Sequence, residues 1–203
     1  MNRLVTNAEP INSLPGQPKE VRLKQYSGYI LTDEFHGRYA FYYFVEAESK
    51  QSRALVPLTL WLGGARSCSS VGNAVFTENG PFWPTKDGKL TRNKYSWNLE
   101  SHMLYIDSPI GTGFSYSNSH SDYKIWNHTM TVNENMKFLV KWFEKFPKYK
   151  NSDFYLGGDA SGGHLLPQLA ALVLEYNKNN AAPIKLKGIA IGNLGMGTPD
   201  KYD

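Results

Sequence analysis

The chain of 203 residues is 41% apolar and 20% charged, the balance of an ordinary globular domain, and no apolar run approaches the roughly 20 residues of a membrane-spanning helix. Its net charge of +4 comes from lysines and arginines that are scattered rather than striped along one face, so neither a membrane nor a nucleic acid is an expected partner. The single cysteine, Cys68, excludes a disulfide within the chain, and the opening residues Met1-Asn2-Arg3-Leu4-Val5-Thr6-Asn7 lack the apolar segment of a secretory signal.

Residues 1–20 hold Pro10, Pro15 and Pro18 in a polar stretch without periodicity and predict an extended arm with no core, leaving 21–203 as one folded unit. Residues 26–31 and 38–46, the second very rich in Tyr, Phe and Val, predict two antiparallel strands joined by the polar connection 32–37. Continuous apolar runs at 57–62 and 102–107, each followed closely by glycine, predict buried strands of a mainly parallel sheet. Residues 131–146 predict a helix: Val132, Met136, Leu139, Val140 and Phe143 share one face, Thr131 and Glu134 have capping-box spacing, and Pro147 stops it. Lys137, Lys141, Lys145, Lys148 and Lys150 crowd its end, where cations suit the negative pole of the helix; they read as solvated. A short strand at 153–157 leads to a helix lined by Leu165, Leu166, Leu169, Leu172, Val173 and Tyr176, with Pro167 in its first turn, and a strand at 186–192 follows. Strands alternating with helices imply α/β layering around a parallel sheet, with the leading hairpin antiparallel at one edge.

The most informative segment is Gly157-Gly158-Asp159-Ala160-Ser161-Gly162-Gly163-His164, where a strand passes through small residues into a helix. This is the shape of a nucleophile elbow, a turn that holds one residue in a strained conformation above the sheet and needs small neighbours for the backbones to pass. Gly158, Gly162 and Gly163 supply them if the turn centres on Ala160; centring it on Ser161 would put Asp159 where a small residue is wanted. A lone glycine cluster is by default a turn without chemistry.

Several segments together remove that default, because the chain resembles the serine carboxypeptidases, and the plant serine-carboxypeptidase-like group most. The family's elbow reads Gly-Glu-Ser-Tyr-Ala-Gly-His-Tyr-Val-Pro, and residues 158–167 align with it without a gap. The resemblance implies an α/β-hydrolase fold, mainly parallel with a leading antiparallel hairpin and cut after about the sixth strand. It places Ala160 in the catalytic serine's slot, Ser161 at the position whose backbone N–H serves the oxyanion hole, and Asp159 at the family's glutamate. A second segment, Leu60-Trp61-Leu62-Gly63-Gly64-Ala65-Arg66-Ser67-Cys68-Ser69-Ser70, matches the family's Trp-Leu-Asn-Gly-Gly-Pro-Gly-Cys-Ser-Ser. By that match Gly63 stands for the asparagine that binds the substrate's terminal carboxylate and Ala65 for the second oxyanion-hole glycine. Loss of one oxyanion donor typically costs about 100- to 1,000-fold in turnover. In a third segment, Thr77-Glu78-Asn79-Gly80-Pro81-Phe82, Glu78 falls on the acid that pairs with the elbow glutamate, so Glu78 and Asp159 would share a proton and hold a peptide's terminal carboxylate. Tyr95-Ser96-Trp97-Asn98 and the residues from Ser108 to Ser117 match as well and read as architectural.

In α/β-hydrolases the triad's acid and histidine follow the nucleophile on later loops. Among residues 161–203 the only histidine is His164, one helical turn past the elbow, so no competent triad is expected within this chain. His36, His102, His120 and His128 show no ligand spacing, and neither a metal nor another cofactor is expected. The expectation is a carboxypeptidase-like protein, from a family that releases C-terminal amino acids from peptides, that does not itself cut. Its alternatives are an active carboxypeptidase or acyltransferase completed by a second chain, and a module that only binds a peptide's C-terminus. The resemblance further implies a secreted or vacuolar protein and a disulfide from Cys68 to a C-terminal half. Asn127-His128-Thr129 is a glycosylation sequon.

Overall fold

A computed structural model of the chain describes residues 9–49, 56–63 and 68–193. In chain order its elements are β1 (Glu9–Ile11), β2 (Gln25–Asp33), β3 (Arg38–Val45), β4 (Leu58–Leu62), β5 (Phe82–Pro84), β6 (Leu90–Arg92), β7 (His102–Ile106), β8 (Tyr116–Ser117), α1 (Asp122–Ile125), α2 (His128–Lys145), β9 (Phe154–Asp159), α3 (Gly162–Lys178) and β10 (Leu186–Gly192). The main sheet runs β1-β2-β3-β7-β4-β9-β10, with β8 added beside β3, while β5 and β6 form a separate hairpin. β7, β4, β9 and β10 are parallel, and β1, β2 and β3 attach antiparallel at one edge.

The sheet is sandwiched because its central strands are mostly apolar on both faces: all five residues of β4 and all five of β7 are buried, with Thr59 and His102 the polar exceptions. α2 and α3 cover one face, where Trp142, Phe138, Leu139, Leu166 and Leu169 pack on Phe44, Leu58, Leu60, Phe154 and Leu156. On the other face Tyr43, Trp61, Met103 and Tyr105 meet Val71, Ala74 and Val75 from the segment after β4. The six predicted strands are present as β2, β3, β4, β7, β9 and β10.

Several local expectations change. Residues 1–8 of the predicted arm lie outside the described residues, and the rest is not free of the core: β1 pairs with β2, and Ile11 packs against the second cluster. α2 begins at His128 rather than 131, capped by Asn127, whose Oδ1 accepts from the Met130 N–H at 2.9 Å. Thr131 and Glu134 therefore make no capping box. The Thr131 hydroxyl donates to the Asn127 carbonyl at 2.9 Å, and Glu134 turns inward to a buried arginine. α3 starts directly after the elbow, so Pro167 sits in its second turn, where it withholds an N–H from the Gly163 carbonyl. Two of the lysines in and after α2 are engaged rather than merely solvated: Lys141 Nζ donates to the Leu31 carbonyl at 2.6 Å, and Lys148 Nζ, in the turn that follows, pairs with the buried Glu46 at 3.0 Å.

That buried arginine is Arg38, at the start of β3. Its Nε and Nη2 donate to the two oxygens of Asp122 at 2.7 and 2.8 Å, and Nη1 donates to Glu134 at 3.2 Å and Asp33 at 3.4 Å. The guanidinium also lies 5.2 Å from the Trp126 ring centroid. One cation thereby ties the β2–β3 turn to α1 and α2.

Candidate functional site

Only Ala160 and Ser161 separate β9 from α3. Ala160 has φ +46°, a left-handed conformation that costs a residue with a Cβ roughly 1–2 kcal/mol, whereas Ser161 has φ −65° and ψ −22° and is already helical. The strained position is thus 160. The Ala160 N–H donates to the Gly192 carbonyl at 3.1 Å, which pins the turn to the end of β10, and the Ala160 carbonyl accepts from the Gly163 N–H at 3.1 Å as α3 opens.

The flanking glycines are sterically required. A Cβ on Gly158 would stand 2.2 Å from the Leu62 carbonyl oxygen, and one on Gly162 would stand 2.9 Å from the same atom. Both distances are to backbone, at the end of the neighbouring β4, so the elbow and the strand pass at closest approach. The spacing read from the sequence for Gly158 and Gly162 has this contact as its cause.

Beyond Leu62 the chain reaches Gly63, whose N–H donates to Ser70 Oγ at 3.0 Å. Gly63 also lies under an indole: a Cβ there would come 3.1 Å from Trp61 Nε1, a buried donor that has no hydrogen-bond partner among the described residues. Ala65, expected at an oxyanion position, lies outside the described residues, as do Gly64, Arg66 and Ser67. The segment that returns from them is held by Asp107, a buried acid the sequence reading passed over. Its Oδ1 accepts from Ser69 Oγ at 2.6 Å and from the Val71 N–H at 3.1 Å, and its Oδ2 accepts from the Phe114 N–H at 3.0 Å. The signal for it was an acid closing the apolar run of β7, where a strand's C-terminal end meets a site.

Glu78 ends a five-residue π-helical turn, Ala74–Glu78, and its Oε1 accepts from Asn73 Nδ2 at 2.6 Å. Its carbonyl accepts from Trp83 Nε1 at 3.2 Å and Asn93 Nδ2 at 3.1 Å, which fixes the turn's end. Burial, and after it the negative charge of Asp159, push the Glu78 carboxyl up from its ordinary range. Asp159 is the last residue of β9, so an acid distant in sequence acts on Glu78 from beside the elbow.

The histidines are dispersed. His36 sits on Asp33 at the β2–β3 turn, and His102 is buried at the opening of β7, where its Nδ1 accepts from the Ala47 N–H at 2.9 Å. His164, exposed in the first turn of α3, lies against His128, the first residue of α2, with ring centroids 6.1 Å apart and planes 12° from parallel. The thiol of Cys68 is exposed.

A family model described as serine carboxypeptidase matches residues 15–203. The curated protein serine carboxypeptidase-like 46 of Arabidopsis thaliana is 48% identical over 190 residues, covering 94% of this chain and 40% of its own length. Serine carboxypeptidase-like 42 of the same plant is 50% identical over 196 residues, with 94% and 41% covered. The chain thus spans about two-fifths of the length of these relatives. Among solved structures, the prohormone-processing carboxypeptidase Kex1(Δ)p of Saccharomyces cerevisiae aligns with TM-score 0.73 at 28% identity, over 85% of this chain and 39% of its own. A cold-adapted esterase from an Arctic intertidal metagenomic library aligns with TM-score 0.50 at 11% identity, over 93% and 65%, and is alike in fold.

Proposed function

The chain belongs to the serine carboxypeptidase family, and from that premise we propose that it is a member which keeps the family's elbow without its acyl-transfer step. The observation that carries this reading is the positive φ of Ala160. In an elbow the strained residue presents its side chain to the carbonyl carbon, and a methyl group neither attacks nor exchanges a proton. Ser161, one position on, has helical dihedrals, which argues against the reading in which it serves as nucleophile once a second chain completes the site. A fluorophosphonate probe is expected to leave the wild-type chain unlabelled. Ala160→Ser in the same 203 residues is expected to stay unlabelled too, because a lone hydroxyl without its base gains little. Labelling of the wild type at Ser161 would sink this reading in favour of an active carboxypeptidase or acyltransferase.

A second reading, binding of a peptide's C-terminus without cleavage, is supported by the coupling of Glu78 to Asp159. A protonated Glu78 donates a hydrogen bond to a carboxylate, and an ionised one repels it. Because its pKa is raised, the protonated form persists to higher pH than for an ordinary glutamate, and binding is lost as pH rises through that raised value. Calorimetry with a blocked dipeptide is expected to give heat near pH 4 that fades by pH 7 and is absent in Glu78→Ala. Heat that does not depend on pH or on Glu78 would count against it.

A further inference from the structure

Asn127-His128-Thr129 is the only Asn-X-Ser/Thr sequence in the 203 residues, and the fold presents it as a substrate. Asn127 is exposed, stands outside α2 with φ −137° and ψ 175°, and turns its Oδ1 to the Met130 N–H at 2.9 Å. The amide is thereby oriented through its oxygen, while its Nδ2 has no partner among the described residues. Thr129, which carries the second recognition group, is exposed in the same turn. We propose that Asn127 is an acceptor for asparagine-linked glycosylation, taking an oligosaccharide from a lipid-diphosphate donor. In the transfer Nδ2 attacks the anomeric carbon. The bond from that carbon to the diphosphate oxygen breaks, the carbon–nitrogen bond forms, one amide proton is lost and the lipid diphosphate leaves. The Oδ1 cap on α2 is untouched by this chemistry, so the modified residue still closes the helix.

The position gives the modification a consequence. Asn127 precedes His128, whose ring lies 6.1 Å from that of His164, and His164 is four residues past Ala160 on the helix that the elbow opens. A glycan on Asn127 stands on the rim of the elbow and screens it.

The test expresses the full chain behind a cleavable secretory leader in a eukaryotic host, with leader removal reporting lumenal entry. One glycan is expected, released by peptide-N-glycosidase with an aspartate left at position 127 in the peptide map. It is expected to vanish in Thr129→Ala, which keeps the cap, and in Asn127→Asp, which replaces one good cap by another. Diethylpyrocarbonate modification of His164 is expected to be several-fold slower before glycan release than after. A leader-cleaved chain without a glycan, or a glycan that survives Thr129→Ala, overturns the assignment. Equal His164 rates overturn its place on the rim.

Discussion

Arg38→Ala is expected to lower the unfolding free energy by about 3–5 kcal/mol, the range found when one partner of a buried ion pair is removed. The cost does not lie mainly in the lost attraction. Asp122 and Glu134, 2% and 5% exposed, are left as carboxylates in a place water barely reaches. Arg38→Met, which keeps most of the side chain's volume, is therefore expected to cost nearly as much, and adding Asp122→Asn should recover part of the loss. Arg38, by its hydrogen bond, holds the Asp122 pKa down to about 2, against roughly 3.9 in an unfolded chain. A depressed acid contributes stability that is fully present above the unfolded value and is lost as pH falls through the folded one. The gap between wild type and Arg38→Ala should then narrow as pH drops from 5 towards about 2. Urea titrations of the three variants at pH 7 and near pH 3 check both points. A loss under 1 kcal/mol at pH 7 would mean that the cluster is solvated.

Trp142→Ala should cost a similar amount, about 3–5 kcal/mol, by emptying the middle of the larger core. The indole is fully buried and packs on Phe146 at 4.7 Å, Phe44 at 5.2 Å and Tyr149 at 5.8 Å, so its loss uncouples α2 from the sheet and from the turn that follows. Its Nε1, however, is a buried donor without a partner among the described residues. Trp142→Phe removes that unsatisfied group along with some area, and the two effects oppose each other. Phenylalanine, which keeps most of the ring, is expected to cost about 1–3 kcal/mol, less than alanine. Thermal unfolding of both variants checks the ranking: a Trp142→Phe loss as large as that of Trp142→Ala would overturn it.

The elbow was legible in the sequence because its constraint is local. A chain that turns from strand to helix within two residues must pass close to its neighbour, and only glycine fits where Gly158 and Gly162 meet the Leu62 carbonyl. The buried strands were legible for a related reason: a strand covered on both faces is apolar at most positions, as β4 and β7 are apart from Thr59 and His102. Asp107, Glu134 and Asp122 were not legible. A buried acid looks like a surface acid until its partners are known, and theirs lie 36, 96 and 84 positions away in sequence for Val71, Arg38 and Arg38 respectively. Short elements such as β1, β8 and the β5–β6 hairpin escaped as well, since two or three residues have too little periodicity to read.

What the residues determined by themselves is the order of strands and helices, the glycine pattern of the turn and the presence of a methyl group in it, all properties of nearest neighbours along the chain. The resemblance pointed to Ala160 and to Glu78 with Asp159, but the positive φ at Ala160 and the buried partners of Asp107, Asp122 and Glu134 came only with the tertiary structure. Backbone strain at Ala160 is imposed by β10 holding its N–H, and the rise in the Glu78 pKa by burial and by Asp159. Both are long-range effects, set when separate segments pack and shut out water.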